Sequence, residues 1–276
     1  MSFNKFLNKL RIIFYLPLIA FLFCVKSAMP MTTASAMKAE QVNHIRRALL
    51  ASFVAKQKNT IVTLIPIFDT TGESQPLGDI YLEHNQHELI GTNSGHLIII
   101  KNLQGCSDKI KVHDRAVSCI AAKDEIVATG SCTCKEIHRW NINTFKIHDK
   151  IYCQEPIISM HIIENHFFAI DIQGNISLLD WKTGILLCKI ETEILKPILN
   201  SKLDERDGLI IIMTPKAKAF VKIDLLVKLD MLICSLKEEQ LAKIAQIITL
   251  DFHSQDYSKI IYDANLPYPI KELLIT

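Results

Sequence analysis

Short apolar runs separated by polar turns fill the middle of the chain, and longer stripes with a period near four flank them. Between residues 60 and 234 the apolar segments are rich in Ile and Val and bounded by turns containing Gly, Asn, Asp or Ser. No helix-length periodicity survives in that stretch, which is the pattern of an antiparallel all-β region. Before it, Met37 to Lys58 sets Val42, Ile45, Leu49, Phe53 and Val54 on one stripe, with Arg46 and Arg47 on the other side. That spacing predicts one amphipathic helix over 37–58. After it, Ser235-Leu236-Lys237-Glu238 reads as a capping box, followed by Leu241, Ile244, Ile247 and Ile248 at helical spacing. A second short helix is expected around 255–262, ahead of Leu266-Pro267-Tyr268-Pro269-Ile270.

The β region repeats. Leu89 to Lys101 forms a strand, a tight polar turn and a second strand. Ile126 to Asn141 does the same, and so does Phe167 to Asp180. Each unit ends in a large apolar residue before a polar one. The pairs are Ile100-Lys101, Trp140-Asn141 and Leu179-Asp180, 40 and 39 residues apart. A weaker fourth unit, Leu209 to Met213 then Lys218 to Asp224, ends in Ile223-Asp224. A partial unit begins near Thr60.

His113-Asp114-Arg115-Ala116-Val117-Ser118-Cys119-Ile120, followed by Ile126 to Asn141, resembles one blade of a WD-repeat propeller. Asp180-Trp181-Lys182-Thr183-Gly184 matches that family's usual Asp-x-x-Thr-Gly exit, and Phe68-Asp69-Thr70-Thr71-Gly72 has the same form. The resemblance covers residues 60–234 and implies a mainly β fold. The fold expected is a small or partial β-propeller of about four four-stranded blades, with an N-terminal helix and C-terminal helices. In the family, His, Ser/Thr, Asp and Trp can form a hydrogen-bonded network that rigidifies a blade. The resemblance assigns His113, Ser131 and Trp140 to it here, with no Asp in the turn. A ring that closes small and a partial ring completed by another chain both remain open.

The first 36 residues change the picture of where this fold works. Lys5, Lys9 and Arg11 precede an apolar run, Ile12 to Val25, and Ala34-Ser35-Ala36 follows as a small-residue cleavage site. The expectation is a signal peptide over 1–36 and a secreted or periplasmic product. A membrane anchor retained by an uncleaved signal is the alternative. The formal charge of +2 includes four bases of that segment, and removing them leaves 27 bases against 29 acids. A charge near neutrality gives no reason to expect nucleic acid, and no membrane contact is expected after signal removal. The domains expected are the signal at 1–36, the helix at 37–58, the propeller at 60–234 and a helical segment at 235–276.

Candidate chemistry is sparse. Cys132-x-Cys134-x3-His138 has the residue types of a zinc site but lacks the usual two-residue spacer and a fourth ligand. It reads as turn residues, with a disulfide or a metal as lesser readings. Cys119 and Cys188 lie inside apolar strands, where a thiol acts as a small hydrophobe. No G-x-S-x-G elbow, P-loop or G-x-G-x-x-G occurs. Asp204-Glu205-Arg206-Asp207-Gly208 reads as a solvated loop. The Leu-Pro-x-x-Ile-x-x-Leu-Leu form at 266–274 faintly resembles the opening of an F-box, and reads instead as a helix docking on an open propeller edge. No catalytic, cofactor-binding or metal residues are assigned, and no cofactor. The function expected is a non-catalytic protein–protein interaction scaffold, binding other proteins through the turns between strands, with a homo-oligomer possible. The alternatives are a hydrolase with a site in the axial channel and a degenerate remnant that needs self-association.

Overall fold

The computed structural model describes residues 34–66, 80–101, 106–194, 197–249 and 265–275. After helix α1 (Ala34–Ile61) and strand β1 (Val62–Pro66), three antiparallel meanders follow. The first sheet holds β2 (Ile80–His84), β3 (His87–Gly91), β4 (His96–Lys101) and β5 (Cys106–Lys111). The second holds β6 (Cys119–Lys123), β7 (Ile126–Gly130), β8 (Glu136–Asn141) and β9 (Ile147–Tyr152). The third holds β10 (Ile157–Ile163), β11 (His166–Asp171), β12 (Ile176–Asp180) and β13 (Leu186–Ile190). The fourth holds β14 (Asn200–Asp204), β15 (Leu209–Met213) and β16 (Ala217–Lys222), and takes β1 as its outer strand. Helices α2 (Asp224–Cys234), α3 (Glu238–Thr249) and α4 (Tyr268–Ile275) complete the described chain. It divides into two compact units. Leu50–Met231 carries all four sheets, and the other unit takes the helical residues at the two ends.

Each sheet exists because its apolar residues cannot be hidden by one partner. The central strand β11 is buried at every position, and β8 is buried from Ile137 to Trp140 on both faces. Leu89, Leu97 and Ile99 of the first sheet pack on Val117, Ile120, Val127 and Trp140. On its other face the second sheet presents Ala121, Ala128 and Ile137 to Met160, Phe167, Leu179 and Trp181. The inner strands touch in the order β2, β6, β10, β14. Four-stranded sheets stacked face to face in chain order are blades, and the expected mainly β propeller is the fold observed.

The strand near Thr60 does not open a blade of its own. β1 pairs antiparallel with β16, from Val62 opposite Val221 to Pro66 opposite Ala217, and so completes the last blade. The end pair of that blade also shifts. Ile223 N–H donates to the Gly208 carbonyl at 2.9 Å, as Ile142 does to Glu125 at 2.8 Å and Trp181 to Asn165 at 2.9 Å. Val221-Lys222 therefore occupies the place of Trp140-Asn141, where the sequence pattern pointed to Ile223-Asp224. The β texture expected to reach Cys234 stops at Lys222, and α2 takes over with Leu226, Leu229 and Ile233 buried one turn apart. In α1, Arg46 is buried beside Ile45, against its expected place on the solvent side, and Leu50 joins the apolar stripe. The cap of α3 forms two residues late. Lys237 N–H donates to Gln240 Oε1 at 2.9 Å, while Ser235 Oγ closes α2 by donating to the Leu232 carbonyl. Leu266, Ile270 and Leu274 are buried, which uses the F-box-like positions as packing. The leader lies outside the described residues except Ala34-Ser35-Ala36, which open α1. Phe68–Gly72 and the helix expected at 255–262 also lie outside them.

The exits of the second and third blades share one turn. Asp180 Oδ1 accepts from Thr183 N–H and Oγ1–H, and Asn141 Oδ1 accepts from the same groups of Thr144. The next residue must adopt a left-handed backbone, and Gly184 does so at φ 69°. Phe145 holds the same position at φ 56°, and its ring is kept there by packing on the cluster around Trp140 and by Lys101 Nζ, 5.3 Å from its centroid.

Phe167 is fully buried, with its ring edge-on to Trp181 at 5.3 Å between centroids. Phe167→Ala should cost about 3–5 kcal/mol. Urea denaturation would measure it, and a loss under 1 kcal/mol would mean that the third blade is not tightly packed on the second.

Candidate functional site

A groove of about 840 Å³ opens beside the second blade, and its walls include Val112, Trp140, Ile147 and Tyr152. Strand register builds it. Val127 lies opposite Trp140 and Thr129 opposite His138, so these four side chains share the face that looks toward the first blade. The connection from β5 brings His113 onto the same face, where its ring stacks on His138 with centroids 4.4 Å apart. Thr129 joins the group. Its Oγ1 accepts from Trp140 Nε1–H at 3.3 Å and lies 3.1 Å from His113 Nε2. The resemblance assigned this place to Ser131. That residue sits past the end of β7, and its hydroxyl turns instead to Thr133, 3.0 Å away. Alternation along β7 decides the matter, because Thr129 is the hydroxyl residue inside the strand on the Trp140 side.

Charge in the groove is nearly balanced. Glu136 accepts from His138 Nε2 at 2.8 Å and from Lys150 at 3.3 Å. Those hydrogen bonds, His138's first, hold its carboxyl below the ordinary range. With Nε2–H spent on Glu136, the buried His138 Nδ1 has no partner among the described residues. Burial, then the neighbouring His138, lowers the His113 imidazole to about 4. Lys111 donates to the Ser94 carbonyl at 2.5 Å, and Lys135 pairs with Glu155 at 3.6 Å.

Cys132, Cys134 and His138 do not converge. His138 is committed to the stack and to Glu136, and Cys134 N–H closes the turn on the Ser131 carbonyl. Among the described residues no three His, Cys, Asp or Glu side chains are grouped as metal ligands. Cys119 and Cys188 are buried thiols, each pushed up to about 12 by burial, as Cys153 is to about 11. The Cys119 sulfur fills the space a side chain at Gly130 would need, since a Cβ there would come within 2.7 Å of it.

Arg139 is the buried charge that the sequence pattern did not single out. It is 1% exposed, on the face opposite Trp140. Its Nε donates to Asp149 Oδ1 at 2.6 Å, a second nitrogen donates to Asp149 Oδ2, and a third to the Trp181 carbonyl. Its guanidinium lies 5.8 Å from the Trp181 ring, so one side chain joins the second blade to the third. The available signal was a base within Ile137-His138-Arg139-Trp140, a strand too apolar to leave either face in water.

A second polar cluster sits on the inner strands. His161 Nε2 of β10 lies 2.8 Å from Ser201 Oγ of β14, and Ser201 Oγ donates to Ser159 Oγ at 2.7 Å. Burial alone lowers His161 to about 4. On β11, His166 meets Asp230 of α2 at 3.0 Å, and both are buried. Asp204 accepts from the N–H groups of Arg206 and Asp207 and closes its own turn.

No protein-family model and no curated protein matches the sequence. Solved structures do. The chain is 18% identical to the computationally designed Ika8 protein, covering 51% of itself and 44% of that chain, at a TM-score of 0.44. It is 17% identical to the designed Ika4 protein over 55% of itself and 95% of that chain, at 0.45. A chain of the mitotic checkpoint complex matches at 16% identity over 53% of this chain and 50% of that one, at 0.47. Sqt1 of Saccharomyces cerevisiae matches at 16% over 49% and 40%, at 0.43. The chain thus spans about half or less of three of these proteins and nearly all of Ika4.

Arg139→Ala leaves Asp149 and the Trp181 carbonyl without their donor, and because the Asp149 carboxylate is partly exposed a loss of about 2–3 kcal/mol is expected. Arg139→Lys should recover little of it, because an ammonium cannot span both acceptors. Chemical denaturation of the pair of variants checks this. His113 and His161 are neutral in the fold, whereas in the unfolded chain they protonate below about 6.5. Stability is therefore complete above that pH and falls as pH drops toward 4. Melting temperatures from pH 7 to 4.5 should decline, and less steeply in His113→Asn.

Proposed function

We propose that this chain is an exported, non-catalytic scaffold that binds other proteins through the groove beside its second blade. The observation that carries this reading is the outer strand β9. It holds Tyr152 at 75% exposure and Ile147 at 46% above Trp140, at the rim of an open groove. Exposed aromatic and aliphatic side chains around a concave site are what a protein partner desolvates with most gain. Of the buried polar groups nearby, His113 and Thr129 are bonded within the blade and Arg139 between blades, while His138 Nδ1 has no partner among the described residues. Export rests on the basic start, apolar run and Ala34-Ser35-Ala36 of the leader. The near-neutral remainder supports protein rather than nucleic acid as partner.

A hydrolase is the second reading, and the Ser159, His161 and Ser201 cluster is what favours it. Two features weigh against it. A histidine lowered to about 4 is a poor general base near neutral pH. The Ser201 proton is also directed to Ser159, away from His161.

Photo-crosslinking separates the readings. A photoreactive phenylalanine analogue at position 152 should give a discrete protein adduct, and the same group at the exposed Asp207 should not. Equal or absent adducts at both positions would remove the groove as the binding site. A fluorophosphonate that labels the wild type but not Ser201→Ala would replace the scaffold with a hydrolase. Mass measurement of the secreted chain should show residues 1–36 removed.

A further inference from the structure

The first and fourth blades each present one face to a neighbour inside the chain and leave the other face incompletely covered. In the first blade, Leu89 and Ile99 lie opposite one another and are fully buried toward the second. The alternate row pairs Tyr81 with Ile90 and Ile90 with Ile98, and the next pairs Glu83 with Glu88 and Glu88 with Ile100. On that far face Tyr81 is 55% exposed, and Ile90, Ile98 and Ile100 are only half-buried. In the fourth blade, Ser201, Ile212 and Ala219 share the face turned to the third, as the bond from Ser201 to His161 shows. The opposite face carries Ile211, Phe220 and Met213, again half-buried. In the third blade the same kind of position is closed, since β11 is buried throughout.

The two uncovered faces differ in charge. Glu83 and Glu88 lie on the first blade's face, and Lys202, Lys218 and Lys222 on the fourth's. None of these five makes an ion pair among the described residues. Lys109 and Lys111 share the acidic face but stand on the outer strand β5, away from Glu83 on the inner strand. Asp204 shares the basic face and is turned into its own loop.

We propose that these faces meet between two copies of the chain. The fourth blade of one copy packs on the first blade of its partner, as the first packs on the second within each chain. The contact is head-to-tail, and such contacts make a closed ring when the rotation returns to its start. Two copies of four blades reach a ring at the upper end of the usual blade number, about eight. Apolar centres supply the attraction, and the acidic-to-basic match sets which faces join. This inference stands apart from the groove, so failure of either leaves the other in place.

Light scattering on the full-length chain during size exclusion tests it, with twice the monomer mass of 31.3 kDa expected. Ile98→Asp and Phe220→Asp should each give a folded monomer, and mixing the two should restore dimers, because one intact contact remains between them. Glu83→Lys with Glu88→Lys should weaken dimerisation by about fivefold per charge. Adding Lys202→Glu and Lys222→Glu to the same chain should recover it. A monomeric wild type at every concentration overturns the proposal. So does a monomeric wild type whose melting temperature falls on either Asp substitution, since the two faces would then close on each other within one chain. If an Asp variant fails to fold, the charge reversals alone decide.

Discussion

A β-sheet with two apolar faces is stable only between two neighbours, and that constraint organises the propeller. The central strands of the second and third blades meet it, with Ile137 and Phe167 buried on the faces they share and Trp140 and Phe168 buried on the opposite ones. Apolar contact is not directional, so it does not by itself set how far one blade slides along the next. Polar bonds do. His84 reaches the Asp124 carbonyl, Ser118 the Ile157 carbonyl, Lys123 the Asn165 side chain, Arg139 the Trp181 carbonyl and His161 the Ser201 hydroxyl. Their sequence separations run from 39 to 42 residues, one repeat each. Each bond therefore ties a position in one blade to nearly the same position in the next.

This division of labour explains why so many polar residues carry no chemistry. A buried arginine or histidine is costly unless it finds polar partners. Here these lie partly in the same blade, as Thr129 does for His113, and partly across a junction, as the Trp181 carbonyl does for Arg139. Arg139 is held by a carboxylate of its own blade and a carbonyl of the following one. Gly184 leaves room for it, because a Cβ there would stand 3.0 Å from its guanidinium. The groove then owes its shape to what the blades do not fill. Trp140 and the histidine stack form its inner wall, and β9, an outer strand, carries the exposed Tyr152 and Ile147 at its rim.

The end blades show the same constraint left unfinished. Borrowing β1 gives the fourth blade its outer strand and ties residues before the first blade to the last one. That pairing satisfies backbone hydrogen bonds along β16. It leaves the apolar face carrying Ile211 and Phe220 half-buried, a face that needs a further packed layer. Edge completion and face burial are separate problems, and one strand solves only the first.

Much of this was legible in the sequence. The spacing of Ile100, Trp140 and Leu179 and the alternation within each segment determine where blades two and three begin and end, and the Asp180-x-x-Thr183 turn marks the exit of the third, because these are local consequences of strand period and turn chemistry. The thiols of Cys119 and Cys188 were also readable as core residues from their apolar flanks. Other features were decided only by the tertiary structure. Thr129 rather than Ser131 meets Trp140 because the exact end of β7 selects which hydroxyl faces inward. β1 belongs to the last blade because its partner β16 lies some 150 residues away, beyond any local signal. Arg139 becomes a link between blades because its acceptors, Asp149 and the Trp181 carbonyl, come from strands that the repeat brings together but does not name. Local pattern sets the blades, and contact between blades sets what each polar side chain is for.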